Sequence, residues 1–235
     1  MPRVAICYWG LTRSTKKIFN SHHIHLFNVL KEHNIAYDVF MHTWRTDNHF
    51  IWEEKQNTID YEEYKLLEPN YYQIDSQDDF LTSINFSDYF NRELYQLYGD
   101  SIHEWRPMLI RNHLCALESQ KRVTNMVLEN QNNYDYVIYI RPDVLITSMF
   151  QVQYLYNTME NQISIPDDEH HSGYNDRFAI IRCENCSHYG KRINEIIEFR
   201  KTHGRIVSEK YVKYILDKYF QAIHFISFKF QIVRP

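Results

Sequence analysis

The chain has 235 residues and a mass of 28.8 kDa, enough to bury a substantial core in one large domain or two small ones. Its formal net charge of −4 disfavours a general nucleic-acid binder, which usually has a basic surface. No apolar stretch approaches the roughly 18 residues of a membrane span, and the amino-terminal one is too short for a signal peptide. With four cysteines and no export signal, we expect reduced thiols and a cytoplasmic protein.

The chain begins with a strand–helix–strand pattern. Residues 3–9 predict a strand, residues 15–33 an amphipathic helix, and residues 36–42 a second strand. This order is typical of a right-handed βαβ unit in an α/β sheet. Ser14, at the end of the intervening loop, is the expected N-cap of the helix.

The remaining elements are predicted to be shorter, apart from one long helix. Pro107 suits the first position of that helix, which runs to about Glu129. The other predictions are a short helix near 60–67, an edge strand at 71–74, a helix near 77–90, strands at 163–165 and 177–182, helices near 184–202 and 208–220, and an alternating stretch at 222–233.

The most informative segment is a run of β-branched and aromatic residues from Tyr134 that is interrupted by Arg141-Pro142-Asp143. The run predicts a buried central strand. Proline cannot donate a hydrogen bond to a sheet, so the strand should end near Arg141. Asp143 then follows the carboxyl end of a strand, where open α/β sheets bind their ligands. A carboxylate beside an arginine there can hold a divalent metal and a phosphate; a surface turn containing Asp is the alternative.

The first loop, residues 10–14, has features of a phosphate-binding site. It joins the carboxyl end of a strand to a helix N-terminus, which presents free amide donors. Gly10 lets the backbone approach a ligand, and the guanidinium of Arg13 can bind a diphosphate through two hydrogen bonds. The loop matches neither the dinucleotide-binding nor the P-loop pattern, which disfavours dinucleotide enzymes and kinases. A solvated basic loop is the alternative.

Taken together, these segments resemble the small GT-A glycosyltransferases of large viruses and bacterial surface-polysaccharide loci, in which the metal-binding Asp-X-Asp is often reduced to Arg-Pro-Asp. Two further segments are similar to the same group. Tyr174 to Ile180 resembles its Asn-Asp-X-Phe-Ala segment, and Ser208 to Val212 resembles its late acidic helix start. The segments that carry the resemblance are the first loop with Arg13, His42-Thr43-Trp44, Tyr134 to Val144, Tyr174 to Ile180, and Ser208 to Val212.

The resemblance implies an α/β, GT-A-like single domain over 1–235, with a Rossmann-like βαβ start and a mixed central sheet flanked by helices. Residues 1–145 would form the nucleotide-sugar donor half, and residues 146–235 the acceptor and catalytic half. The partners would be a nucleotide-sugar and a glycan or glycoprotein acceptor, with no nucleic acid and no membrane span. The expected donor contacts are Gly10, Thr12, Arg13, Trp44, Arg111, Asn112 and Arg141.

The resemblance also implies the chemistry of the site. Asp143 would hold Mn²⁺ or Mg²⁺ against the diphosphate. Asp176, with Glu209 as the second candidate, would take the proton of the acceptor hydroxyl in an inverting transfer. Because Arg141 stands where a second acid would be, the sequence leaves the metal requirement open.

Ordinary structural interpretations remain open for the same residues. They are a turn for Asp176, a helix start for Glu209, a core side chain for Trp44, and a solvated helix face for Arg111 and Asn112.

Two other functions also remain open: a sulfotransferase-like enzyme that uses the basic first loop, and a non-catalytic α/β carbohydrate-binding or scaffold module. Cys183, Cys186 and His188 have half the spacing of a zinc site that His170 and His171 would complete, and His224 is a candidate late metal ligand. Packed side chains are the favoured interpretation for these residues.

Overall fold

The computed structural model describes residues 1–46, 59–91 and 107–234. Within these residues the fold is built on a seven-stranded sheet and a separate two-stranded sheet. The strands are β1 (Arg3–Trp9), β2 (Ala36–Arg45), β3 (Tyr71–Ser76), β4 (Tyr136–Ile140), β5 (Val144–Ile146), β6 (Gln162–Pro166), β7 (Phe178–Arg182), β8 (Ala222–Ile226) and β9 (Phe230–Ile232). The large sheet has the order β3-β2-β1-β4-β7-β6-β8, and β5 pairs with β9.

Helices cover both faces of the large sheet. The helices on each face pack on a separate cluster of buried side chains. The α-helices are α1 (Thr15–His22), α2 (Asn28–Glu32), α3 (Gln77–Ser83), α4 (Pro107–Glu129), α5 (Gln153–Tyr156), α6 (Cys186–Gly190), α7 (Ile196–His203) and α8 (Ser208–Tyr219). A π-helical stretch, His23–Phe27, joins α1 to α2, and 3-10 turns lie at Glu63–Leu67, Phe86–Asp88, Cys183–Asn185 and Arg192–Glu195. Among the described residues, no helix combines the length and the apolarity that crossing a bilayer requires.

The strand directions make the large sheet mixed. β1 pairs in parallel with β2 and with β4, and β2 pairs in parallel with β3. Only β7 runs the other way in the described sheet, antiparallel to both β4 and β6. The predicted α/β fold, with a βαβ start and a mixed central sheet flanked by helices, is therefore confirmed.

Most predicted elements occur close to their expected bounds. The edge strand β3 lies at the margin of the sheet, β4 ends at Ile140, and α4 runs from Pro107 to Glu129 as predicted. The second strand is longer than expected because buried side chains continue to Trp44.

Three predicted elements were wrong in extent. The helix near 77–90 ends at Ser83 because Ile84 is extended, and only a 3-10 turn follows. The helix near 184–202 is broken into short pieces around Gly190, where an added Cβ would lie 2.0 Å from Thr124 Oγ1. The stretch 222–233 is divided between two sheets, so β9 crosses to pair with β5.

Candidate active site

A cleft with a cavity of about 290 Å³ opens at the carboxyl ends of β1 and β4. These two strands are neighbours in the sheet, whereas the chain passes from β1 to β2 on the other side. The order of the strands therefore reverses between β1 and β4, which is where open α/β sheets bind ligands. The charged residues that line the cleft are Arg13, Arg141, Asp143, Asp176, Arg177, Arg192, Glu209 and Arg234.

The loop after β1 is held by hydrogen bonds from both sides. Gly10 has a left-handed backbone with φ +97°, and its N–H donates to Ser119 Oγ at 2.8 Å and to His42 O at 3.2 Å. Thr15 Oγ1 donates to Pro142 O at 3.2 Å, which joins the loop to the segment after β4. Ser14 occupies the N-cap position as predicted, but its side chain makes no cap hydrogen bond. Its hydroxyl donates instead to Val233 O at 2.7 Å.

A chain of hydrogen bonds that begins at Gly10 connects this loop to Ser119, His42 and Asp75. Ser119 Oγ lies 2.7 Å from His42 Nδ1, and His42 Nε2 lies 3.0 Å from Asp75 Oδ2. Burial lowers the pKa of His42 to about 4, so the ring is neutral near pH 7. The order Ser–His–Asp is that of a hydrolase triad. Ser119 is fully buried, however, and already accepts the Gly10 N–H, so these residues position the loop.

Asp143 is held in place by arginines. Arg141 donates from Nε to Oδ1 at 2.9 Å and from Nη2 to Oδ2 at 2.5 Å, and Arg13 Nη2 lies 3.5 Å from Oδ2. The side chain of Asp143 is only 4% exposed. Burial alone would raise its pKa, but the guanidinium of Arg141, followed by that of Arg13, lowers the pKa below its usual value. Asp143 is therefore an ionised carboxylate whose two oxygens already face cations.

The reversed strand β7 brings Asp176 and Arg177 to the same place. Because β7 is antiparallel to β4, its first residue lies beside Ile140 at the carboxyl end of β4, and the Arg141 N–H donates to Arg177 O at 3.2 Å. Asp176 Oδ1 lies 3.8 Å from Arg177 Nε, which is too long for a hydrogen bond. The carboxylate of Asp176 therefore borders the cleft and forms an ion pair with that arginine, but no hydrogen bond.

Glu209 enters the cleft from the first turn of α8. Ser208 Oγ donates to Glu209 Oε2 at 2.7 Å. The preceding loop packs tightly against this turn: an added Cβ on Gly173 would lie 2.0 Å from Glu209 O. Tyr174 N–H also donates to Glu209 O at 2.9 Å. The contacts of Gly173 and Tyr174 with Glu209 O thus couple the loop that leads to Asp176 to the turn that carries Glu209.

A buried arginine forms the inner wall of the cleft. Arg192 is only 2% exposed, donates from Nη1 to Tyr189 O at 2.9 Å, and lies over the Tyr189 ring at 4.2 Å. Its Nε has no hydrogen-bond partner among the described residues. Burial, with the charges of Arg192 and Arg141 adding to it, lowers the pKa of nearby His113 to about 3. His113 is therefore neutral and adds no charge to the cleft.

The cleft as a whole has an excess of positive charge. Five arginines and three carboxylates line it, which leaves two positive charges. Glu169 contacts Arg177 from outside the cleft and partly offsets one of them. Burial, and then the nearby Arg141, lowers the pKa of Arg177, and burial lowers that of Arg13 with a smaller contribution from Arg141. The cations repel one another, so an anion bound between them would be stabilised.

The structure brings together most of the predicted site residues. Those that line the cleft are Gly10, Arg13, Trp44, Asn112, Arg141, Asp143, Asp176 and Glu209. Their predicted roles stay predictions.

Two predicted donor contacts lie outside the cleft, and a third, Trp44, is almost completely buried. Thr12 is buried and does not line the cleft, and Arg111 lies over the Phe86 ring at 4.8 Å, outside it. Trp44 is 1% exposed and donates from Nε1 to Cys115 O at 3.0 Å, so little of it is accessible to a ligand.

Three arginines of the cleft are not among the residues predicted from the sequence. Arg177 follows Asp176 directly and belongs to the same motif, which could have identified it. Arg192 lies in a 3-10 turn, and Arg234 follows β9, whose pairing with β5 brings it to the cleft. No local pattern marks either residue, so only the tertiary structure identifies them.

The described residues contain no group of three or more His, Cys, Asp or Glu side chains arranged to hold a metal ion. His188 stacks on Tyr219 with ring centroids 4.4 Å apart, and His170 packs edge-on against Phe225. His224 lies 2.7 Å from Gln162 Oε1. Ring or hydrogen-bond contacts thus engage all three residues, although His188 is exposed.

Comparison with known proteins gives distant structural similarities only. No protein-family model matches the chain, and no curated protein matches it. Among solved structures, it is similar to the crystal structure of a galactosyltransferase, LgtC, in complex with donor and acceptor sugar analogues. That similarity covers 94% of this chain and 72% of the other at 10% sequence identity, with a TM-score of 0.44. A similarity this distant establishes neither family nor activity, which must be inferred from the site.

Proposed function

We propose that this protein is a glycosyltransferase that moves a sugar from a nucleotide-sugar donor to a hydroxyl group of a glycan or glycoprotein acceptor. The observation that carries the proposal is the cleft at the β1–β4 reversal, where an excess of arginine faces two further carboxylates. A nucleotide-sugar presents a doubly negative diphosphate next to an anomeric carbon. The cleft offers cations for the first and a proton acceptor for chemistry at the second.

Arg13 and Arg141 bind the diphosphate in this proposal. Both guanidinium groups border the cleft next to Asp143, and planar guanidinium groups suit paired phosphate oxygens. Arg234, exposed at the rim, adds a third cation from the second half of the chain. The donor would thus rest mainly on residues 1–145, while residues 146–235 complete the cleft and receive the acceptor.

The transfer step requires a base and a stabilised leaving group. Asp176 takes the proton of the acceptor hydroxyl while that oxygen forms a bond to the anomeric carbon. The bond from the anomeric carbon to the phosphate oxygen breaks, and the nucleoside diphosphate leaves with the electron pair. The arginines stabilise the negative charge that develops on it. Glu209, which accepts a hydrogen bond from Ser208, is the second candidate for the base.

The residues around Asp143 do not fit a divalent cation. Mn²⁺ and Mg²⁺ bind oxygen ligands, whereas both oxygens of Asp143 accept hydrogen bonds from Arg141, with Arg13 beside them. Asp143, Asp176 and Glu209 form no metal-holding group among the described residues. The proposed reaction therefore has no step that depends on a metal at Asp143.

A nucleotide-release assay with UDP-, GDP- and dTDP-sugars tests the proposal. We expect turnover of one donor class, increased by an acceptor glycan, and a decrease of about 10²- to 10⁴-fold in Asp176→Asn, which removes the base. Asp217→Asn is the matched control, because Asp217 is 48% exposed on α8 and pairs with Lys213. An unchanged rate in Asp176→Asn would move the base to Glu209.

Three other results would contradict the proposal. Binding of a nucleotide-sugar without any release of nucleotide would favour the non-catalytic carbohydrate-binding module. Preferential binding of adenosine phosphosulfate would favour the sulfotransferase-like enzyme. No binding across the whole panel would contradict glycosyl transfer directly.

A further inference from the structure

The cleft carries the charge that a divalent cation would otherwise supply. Its lining residues leave an excess of two positive charges before any ligand binds, only partly offset by Glu169. The diphosphate of a nucleotide-sugar carries two negative charges, so protein and ligand come close to neutrality without a metal. A divalent cation on Asp143 would restore the positive excess within a largely buried site, where unbalanced charge is costly.

The arrangement of the arginines agrees with this balance. Arg13, Arg141 and Arg234 approach Asp143 from three separate segments of the chain. Arg192 adds a fourth cation that is almost completely buried and has an unpartnered Nε at the cleft wall. A buried guanidinium with an unused donor is poorly solvated, and a phosphate or sugar oxygen would satisfy it.

We infer that the diphosphate is neutralised by the arginine cluster alone, and that Asp143 is a positioning residue for Arg141 and Arg13 and not a metal ligand. This inference rests on the proposed function for the identity of its ligand. Asp143 accepts two hydrogen bonds from Arg141, which fixes the plane of that guanidinium. A phosphate oxygen then meets donors that are already oriented, so little conformational entropy is lost on binding.

Calorimetric titration with inorganic pyrophosphate tests the inference without requiring knowledge of the nucleotide or the sugar. We expect wild-type protein to bind pyrophosphate in EDTA. Replacing EDTA by Mn²⁺ or Mg²⁺, at the same concentration of free pyrophosphate, should improve the affinity by less than about threefold. Arg141→Ala should weaken binding by about 10- to 100-fold, because it removes charged hydrogen bonds to phosphate. Arg182→Ala, at the other end of β7 and outside the cleft, is the matched control.

Two substitutions at Asp143 separate positioning from metal binding. Asp143→Asn keeps one of the two acceptor oxygens for Arg141, so it should weaken binding in EDTA by less than Asp143→Leu does. Asp143→Leu is of similar size but accepts no hydrogen bond, so it should weaken binding by about tenfold. Neither variant should respond to added Mn²⁺. Far-UV circular dichroism and the unfolding midpoint confirm that each variant is folded.

A requirement for Mn²⁺ or Mg²⁺ in wild type, lost in Asp143→Asn, would overturn the inference and leave glycosyl transfer in place. Weaker binding in Asp143→Asn than in Asp143→Leu would also overturn it. Metal-independent binding of pyrophosphate without turnover of any nucleotide-sugar would instead refute the proposed function, while the arginine site would stand as an anion site.

Discussion

Gly173 should be intolerant of any side chain, because it lies against the first turn of α8. A Cβ there would lie 2.0 Å from Glu209 O and 2.1 Å from Glu209 C, against about 3.4 Å for an ordinary contact. Both atoms belong to the backbone, so no rotamer change relieves the clash. Gly173→Ala must therefore displace the loop or the helix by roughly 1.4 Å, the difference between these distances.

The expected cost has two parts. Overpacking of this kind costs about 1–3 kcal/mol, and loss of the hydrogen bond from Tyr174 N–H to Glu209 O adds about 1 kcal/mol. The free energy of unfolding should thus fall by about 3 kcal/mol, which lowers the melting temperature by roughly 6 to 12 °C in a chain of this size. Turnover should fall by about 100-fold, because the loop that moves carries Asp176.

Urea and thermal unfolding measure the first effect, and nucleotide release measures the second. Ser172→Ala is the control, since this exposed side chain lies in the same loop and its loss should change stability by less than about 0.5 kcal/mol. If Gly173→Ala keeps both its unfolding midpoint and its turnover, the loop and α8 are not coupled in the way described.

Two further predictions concern buried polar groups and the first loop. His22 Nδ1 accepts from Tyr8 OH at 2.7 Å and Nε2–H donates to Val144 O at 2.6 Å, and burial lowers the pKa of His22 to about 4 from 6.5. Its stabilising effect is complete above pH 6.5 and is lost as the pH falls towards 4, by about 2 kcal/mol at about pH 5. Urea unfolding at about pH 7 and about pH 5 should show a smaller loss in His22→Gln, and an equal loss would contradict this assignment. Gly10→Ala meets no atom within 4 Å but must adopt φ +97°, so stability should fall by about 1 kcal/mol. Pyrophosphate binding, measured by titration, should weaken with it, because the loop carries Arg13; unchanged binding would contradict the role of the loop.

The sequence predicts the parts of the site that depend on local pattern. Pro142 interrupts the hydrogen bonding of a sheet, so β4 had to end near Arg141. The sequence after β1 likewise predicts a loop followed by a helix. In a parallel pair both loops meet at one edge of the sheet. Arg13 and Asp143 accordingly lie close together, with Arg13 Nη2 3.5 Å from Asp143 Oδ2.

The rest of the site depends on pairing that no local pattern encodes. The direction of β7 decides whether Asp176 and Arg177 reach the cleft, and the pairing of β9 with β5 decides the position of Arg234. The position of Arg192 follows from the break in the helical region after Gly190, where Thr124 leaves no room for a side chain. Such contacts between distant segments are fixed by packing, which a pattern of three or four residues does not specify.

The residue that follows the short strand β9, Val233, contacts both the first loop and the segment after β4. Val233 N–H donates to Asp143 O at 2.9 Å, and Val233 O accepts the hydroxyl of Ser14, while the ladder beneath it spans only three residue pairs. A ladder this short opens at a low free-energy cost. Each opening would release the Arg13 loop and the Asp143 segment together, so the two halves of the anion site are expected to assemble and come apart as one cooperative unit.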